Sequence, residues 1–403
     1  MKKRWPLFVG VLFIAACGGD ERTNTSSSIG STSTEPATEP ATDSTTENPS
    51  FPATLGTPIE GWTEPVDMAI RYAAGAAPLE YLVERTGVIS VLDGDRNRAS
   101  TALDMSDLTM ADGERGLLGL AFSFDGSRAF VNYTDLDGNT NIDQYYLNSD
   151  GTFDRGSRTR LYFLTQPYPN HNGGEIVWAD GELYIFTGDG GSGGDPERVA
   201  LNPRNPLGKV IRLREVDGRW DTGDVIAIGL RNPWRVFLDP LTDIFWITDV
   251  GQNAIEEINM VARGAIEGAS FGWSYLEAGQ VFNGDQADAH ALYTSVEPMY
   301  EYQHSGGRCS ISGGAVYRGE SIAAVGTWFV YADWCSGEVL ATCFEDSGEQ
   351  CGSMTIGNVP RPVGVVADAG GELWVLSQDG LVVPISNTCC IDRMAPTLSG
   401  VDP

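Results

Sequence analysis

The chain has 403 residues, with 26 Lys and Arg against 55 Asp and Glu, giving a formal charge of −29. A surface this acidic repels phosphate backbones and makes nucleic acid a poor partner, while neutral ligands are not repelled. The length leaves about 340 residues beyond a polar N-terminal stretch, enough for one large core in a single domain.

Lys2, Lys3 and Arg4 open the chain, and an apolar run from Leu7 to Ala16 follows. That run is too short for a stable spanning helix and has the length of a signal-peptide core, so residues 1–16 read as a signal peptide. Ala15 and Ala16 before Cys17 resemble the lipobox of bacterial lipoproteins, which implies that Cys17 is lipidated and becomes the new N-terminus. The alternative is an ordinary secretory signal with an incidental cysteine. Gly18 is not the aspartate usually linked to inner-membrane retention. The expected location is therefore the cell envelope, at the outer membrane, facing the periplasm or the surface. Ser, Thr, Glu and Pro fill the stretch to Ser50. Residues 17–50 are thus expected to be a lipidated, disordered tether, because they lack the apolar surface to fold. Residues 51–388 are assigned to the fold and 389–403 to a tail with no assigned role.

Helix-period patterns are scarce, and one unit recurs: an apolar strand, a Gly-rich or polar turn, then a second strand. The hairpins run from Tyr81 to Leu92, from Arg128 to Leu147 and from Glu182 to Leu213, the third with a long insertion. The next run from Ile244 to Met260, from Thr327 to Thr342 and from Glu372 to Ile385. Spaced at roughly 40 to 80 residues with the variation confined to loops, they predict an all-β fold, a six-bladed β-propeller with each hairpin in the middle of a four-stranded blade. A β-sandwich is the alternative, although it seldom needs so many similar strand pairs.

Function in such a fold sits in the loops at one end of the axis. Glu114 and Arg115 precede an apolar strand, where a surface ion pair is explanation enough. Asp135-Leu136-Asp137-Gly138-Asn139 reads as a hairpin turn, its glycine misplaced for an EF-hand. Asn170-His171-Asn172-Gly173-Gly174 holds one of only three histidines. An imidazole there suits a general base, or it merely completes a turn. Gly188 to Asp195 lacks the Gly-Lys-Ser/Thr of a phosphate loop and reads as a flexible crossing loop, with a structural calcium as the alternative. Arg231-Asn232 offers a cationic fork beside an amide, fit for a carbonyl or carboxylate ligand or for locking two blades. Asp249-Val250-Gly251-Gln252-Asn253 exposes backbone carbonyls that suit calcium, or it is a plain turn.

Cys17 aside, six cysteines remain, an even number consistent with an oxidising compartment. The expected disulfides are Cys309 with Cys335 and Cys343 with Cys351; free buried thiols are the alternative, and the adjacent Cys389 and Cys390 stay unassigned. No Cys-x-x-Cys pair occurs, which argues against zinc.

Taken in order, these loops resemble the glucose/sorbosone dehydrogenase family of soluble pyrroloquinoline quinone (PQQ)-dependent aldose dehydrogenases. The likeness runs from Trp62 to Ile385 and includes Leu207-Gly208-Lys209-Val210, Phe271-Gly272-Trp273, Tyr302 to Gly307, Ile311 to Gly319 and Tyr331 to Gly337. The cysteine-bearing stretches are most similar to the branch containing the hedgehog-interacting-protein type of domain. The resemblance implies a PQQ- and calcium-dependent oxidoreductase that oxidises the anomeric carbon of an aldose by hydride transfer to the quinone. It implies that His171 is the base and that Arg231 stabilises charge on the quinone. Glu114 and Asn232 would line the cofactor, Gly251 and Gln252 would hold calcium, and Arg318 would meet the cofactor's carboxylates. Glu338 stands where relatives often place an arginine, which leaves Arg318 as the one clear cation on that side. The alternative function is a catalytically inactive propeller that binds carbohydrate or a protein partner at the cell envelope. The electron acceptor is unknown.

Overall fold

Stretches such as Ala129-Phe130-Val131-Asn132-Tyr133 are rich in β-branched and aromatic side chains that pack on a pleated surface, and they form strands throughout. The computed structural model describes residues 49–345 and 347–388. Cys17, the expected signal peptide, most of the tether, and the tail with Cys389 and Cys390 lie outside the described residues. The one α-helix among those described, Ala287–His290, is four residues long.

The fold is an all-β propeller. Its innermost strands are Pro65–Arg71, Leu117–Phe122, Ile176–Ala179, Pro233–Asp239, Ile311–Val316 and Pro362–Ala367. They pack side by side in a closed ring, the last against the first. Each predicted hairpin forms and supplies the second and third strands outward from the axis. The sheet begun by Pro362–Ala367 is completed by Ala53–Leu55, which pairs with Leu381–Asn387 and joins the two ends of the described chain.

The expectation of six equal blades is corrected to five four-stranded blades. The third hairpin, Glu182–Thr187 with Lys209–Val216, belongs instead to a seven-stranded sheet. Its fourth strand, Asp224–Ile228, carries two short parallel strands on its outer edge, Ala269–Ser270 and Thr294–Ser295, and Arg219–Trp220 pairs to one side. The cause is the length of chain between Ala262 and Tyr300, which folds back on that edge instead of turning directly into the next strand.

Neighbouring sheets are held by aromatic contacts at matching levels. Phe130 stacks on Trp178 with ring centroids 4.9 Å apart, and Trp246 on Phe329 at the same distance. The buried rings among them, Phe130, Trp246 and Phe329, each contribute roughly 1.5–3 kcal/mol from area removed from water. The axis itself is polar. Arg235 reaches Glu175 at 3.5 Å and donates to the Val66 carbonyl at 2.8 Å. Burial, reinforced by the negative charge of Asp67, pushes the Glu175 carboxyl up to about 8.

Candidate functional site

Every innermost strand starts at the same end of the ring, so the residues just before each strand meet around one opening. In the loop before Ile176–Ala179, His171 adopts φ +57° and is followed by Gly173 at φ +65° and Gly174 at φ +149°. The His171 amide donates to Glu114 Oε2 at 2.6 Å. A Cβ on Gly188 would lie 2.0 Å from the His171 carbonyl oxygen, so that position requires glycine. The His171 Nδ1 lies 2.6 Å from Asp189 Oδ1, which also accepts from the Gly191 amide at 2.9 Å. Asp189 Oδ2 accepts from Trp273 Nε1 at 2.8 Å. A carboxylate already surrounded by donors makes Nδ1 the protonated nitrogen and leaves Nε2 as an acceptor.

Arg231 and Asn232 are held from below by Asp249, whose two oxygens accept their backbone amides at 2.8 and 2.6 Å. Burial pushes the Asp249 carboxyl up to about 7, against the pull of those amides. The Arg231 guanidinium donates to the Val250 carbonyl at 2.8 Å and to Gln252 Oε1 at 3.2 Å, and it lies 5.6 Å over the Trp273 ring. Asn232 spans the two loops: its amide nitrogen donates to Glu114 at 3.1 Å and its oxygen accepts from the Gly173 amide at 3.1 Å.

A cavity of about 560 Å³ opens here. Its wall brings together Glu114, His171, Arg231, Asn232, Gly251 and Gln252, all singled out in the sequence. Arg318 is a correction. It follows the far end of Ile311–Val316, pairs with Asp239 at the end of Pro233–Asp239, and is not part of the cavity wall. An innermost strand that starts at the opening carries whatever follows it to the opposite end. Glu338 also stays off the wall and pairs with Arg308 at 2.6 Å. Cys309 is bonded to Cys335 and Cys343 to Cys351.

The loop from Gly188 to Asp195, expected to be flexible, is instead a structural part of the site. Asp189 and Asp195 are both buried, and Asp195 accepts from the Val199 and Ala200 amides and the Ser274 hydroxyl. Lys209 lies beneath it, fully buried, with Nζ donating to the Val199, Ala200 and Leu207 carbonyls. Other wall residues escaped the sequence reading. Arg361 stands immediately before Pro362–Ala367, as Asn232 stands before Pro233–Asp239, and Arg85 closes the turn after Leu79–Glu84. Each has an acidic neighbour: Glu64 for Arg85 and Asp379 for Arg361.

The turn bearing Gly251 and Gln252 is shaped from behind. Glu277 Oε1 accepts from the amides of Gln252, Asn253, Ala254 and Ile255. Burial alone would raise that carboxyl, yet the four amides together hold it below its ordinary value. Glu256 Oε2 accepts from the Gly251 and Ile311 amides, and its Oε1 lies 2.6 Å from His304 Nε2. That hydrogen bond raises the His304 imidazole above its ordinary 6.5, with burial opposing. Such a group adds stability that is complete below pH 6.5 and is lost as pH rises through the folded value. Melting temperature is expected to fall as pH rises above 6.5, and His304→Gln to flatten that slope. Parallel curves for the two proteins would remove His304 from the account.

A family profile described as Glucose / Sorbosone dehydrogenase matches residues 68–382. Among curated proteins, HIPL1 protein of Arabidopsis thaliana is 31% identical over 57% of this chain, which spans only 41% of that relative's length. Aldose sugar dehydrogenase YliI of Escherichia coli K12 is 22% identical over 60% of this chain and 70% of its own. Among solved structures, the PQQ-bound aldose sugar dehydrogenase of Streptomyces coelicolor superposes with a TM-score of 0.64 at 18% identity, covering 84% of this chain and 99% of that one. At that identity the likeness speaks for the fold.

Proposed function

Since the chain belongs to the glucose/sorbosone dehydrogenase family, we propose that it is a PQQ- and calcium-dependent dehydrogenase that oxidises an aldose at its anomeric carbon. The observation that carries the reading is that His171, backed by Asp189, shares one cavity wall with Arg231. On this reading the seven-stranded sheet counts as an enlarged sixth blade.

The residues present fit the cofactors. Three arginines and two glutamates face the cavity, a positive balance within a chain of net charge −29, which suits a tricarboxylate. The Gly251 and Gln252 carbonyls accept no hydrogen bond among the described residues, which leaves them available to a hard cation. No group of three or more His, Cys, Asp or Glu side chains among the described residues is arranged to hold a metal, so the residues that would hold calcium are Gly251 and Gln252, through their backbone carbonyls. Arg231, Arg85 and Arg361 would hold the quinone's acidic edge, with Glu114 and Asn232 alongside.

When bound, PQQ supplies a two-electron acceptor and calcium a positive charge beside it. The chain supplies the rest. Nε2 of His171 takes the proton of the anomeric hydroxyl, and Asp189 keeps Nδ1 protonated and stabilises the imidazolium that results. Arg231, fixed by Val250, Gln252 and Trp273, places positive charge where negative charge develops. We further propose that the protein works at the cell envelope, tethered through a lipidated Cys17, and passes electrons to a carrier there.

A second reading, a cofactor-free binding propeller, is favoured by one observation. Arg85 and Arg361 already pair with Glu64 and Asp379, so an anionic cofactor must compete with both. Titrating the purified protein with PQQ and calcium, then adding aldoses and an artificial dye, separates the two. Saturable binding, sugar-dependent dye reduction and release of the quinone by a strong chelator support the dehydrogenase. No binding at tens of micromolar PQQ supports the second reading.

A further inference from the structure

The mouth of the cavity carries an aromatic surface to which the oxidation steps above assign no role. Trp334 is 40% exposed, the only tryptophan among the exposed large apolar residues described, while His171 and Arg231 on the same wall are 4% and 8% exposed. Tryptophan is highly buried on average, and a lone exposed one on open surface would need no explanation; this one lines the cavity that holds His171 and Arg231.

The backbone that carries this indole is pinned on both sides. The Trp334 amide donates to the Ser310 carbonyl at 2.8 Å, and its Nε1 makes a long contact of 3.4 Å to Gln378 Oε1. Asp333, the residue before it, is fully buried and accepts from the Cys309, Ser310, Cys335 and Ser336 amides and from the Tyr302 hydroxyl. Cys335, the residue after it, is bonded to Cys309. A platform ordered in advance loses little entropy when a ligand covers it. Gln378, Arg361 and Glu64 share the wall with it. A flat apolar face beside a planar amide, on a wall that also carries guanidinium and carboxylate groups, matches a pyranose, which presents a C–H face and a rim of hydroxyls.

We propose that Trp334 is the floor of a second saccharide subsite, so that the preferred substrate is the reducing end of a disaccharide or longer glycan. The inference rests on the oxidation proposed above. The sugar being oxidised sits deep, at His171, and the ring linked to it lies outward on Trp334.

The test compares glucose, maltotriose and cellotriose as substrates of the PQQ- and calcium-loaded protein, and by calorimetry as ligands of the protein without PQQ. In Trp334→Ala, KM for at least one trisaccharide should rise about tenfold with kcat unchanged, while KM for glucose moves less than about twofold. Trp334→Phe should recover most of the trisaccharide affinity, which a general loss of folding would not allow. Calorimetry should show a trisaccharide binding more tightly than glucose to the wild type and losing that advantage in Trp334→Ala. Equal KM changes for all three sugars, or no trisaccharide preference in the wild type by either method, overturn the subsite. Glucose oxidation without any trisaccharide preference sinks this inference alone. Trisaccharide binding without PQQ-dependent oxidation sinks the dehydrogenase and leaves the subsite standing.

Discussion

Replacing His171 with alanine is expected to lower kcat by about 10²- to 10⁴-fold, the usual contribution of a positioned general base. PQQ affinity should change little, because the imidazole makes its one described side-chain hydrogen bond to Asp189 and none to Arg231, Gly251 or Gln252. His171 sits at φ +57°, a left-handed conformation that costs histidine and alanine alike roughly 1–2 kcal/mol. Asparagine tolerates that region and cannot act as a base, so His171→Asn serves as the control. Loss of turnover in both variants, with PQQ binding retained in both, assigns the chemistry to the imidazole. Turnover within about fivefold of wild type in His171→Asn would remove His171 from the base role.

Much of the fold could be read in advance because its code is local. Strand periodicity and turn residues lie within a few positions of one another, so the hairpins could be placed and their recurrence used to infer a propeller. The enlarged sheet could not. Its extra strands, Ala269–Ser270 and Thr294–Ser295, are two residues each and enter through a parallel pairing that no local pattern announces. The site divides in the same way. Glu114, His171 and Arg231 lie in short runs whose composition invites chemistry. Asp189 lies in a glycine-rich loop that looks flexible, and only its reach to an imidazole 18 positions earlier shows its purpose. Glu277 holds a turn 22 to 25 residues before it, a relation with no trace in spacing. Arg318 was misplaced because a motif does not say which end of a strand it occupies. One usable signal holds for four of the six innermost strands: the residue just before the strand, Glu64, Asn232, Ser310 or Arg361, lines the cavity. That rule points to Glu64 and Arg361 as readily as to Asn232.

Asp189→Asn is the sharper test of the dyad, because it changes one atom and not the shape. The carboxylate serves three donors: His171 Nδ1, the Gly191 amide and Trp273 Nε1. An asparagine amide has a single oxygen. If that oxygen faces His171 and Gly191, the NH₂ group opposes the Trp273 N–H. If it faces Trp273, the NH₂ opposes Gly191 and meets His171 Nδ1. That moves the imidazole proton to Nε2 and abolishes the base. Each orientation leaves donors facing one another at a buried position, a cost of about 1–3 kcal/mol. Neither retains the negative charge that stabilises the imidazolium. The expected result is a fall in kcat of about 10²- to 10⁴-fold with KM nearly unchanged. Two residues that act as a unit should not be additive, so His171→Ala with Asp189→Asn should be no slower than His171→Ala alone. Additive losses, or an Asp189→Asn enzyme within about fivefold of wild type, would mean that Asp189 supports the loop through Gly191 and Trp273 without governing the proton on His171.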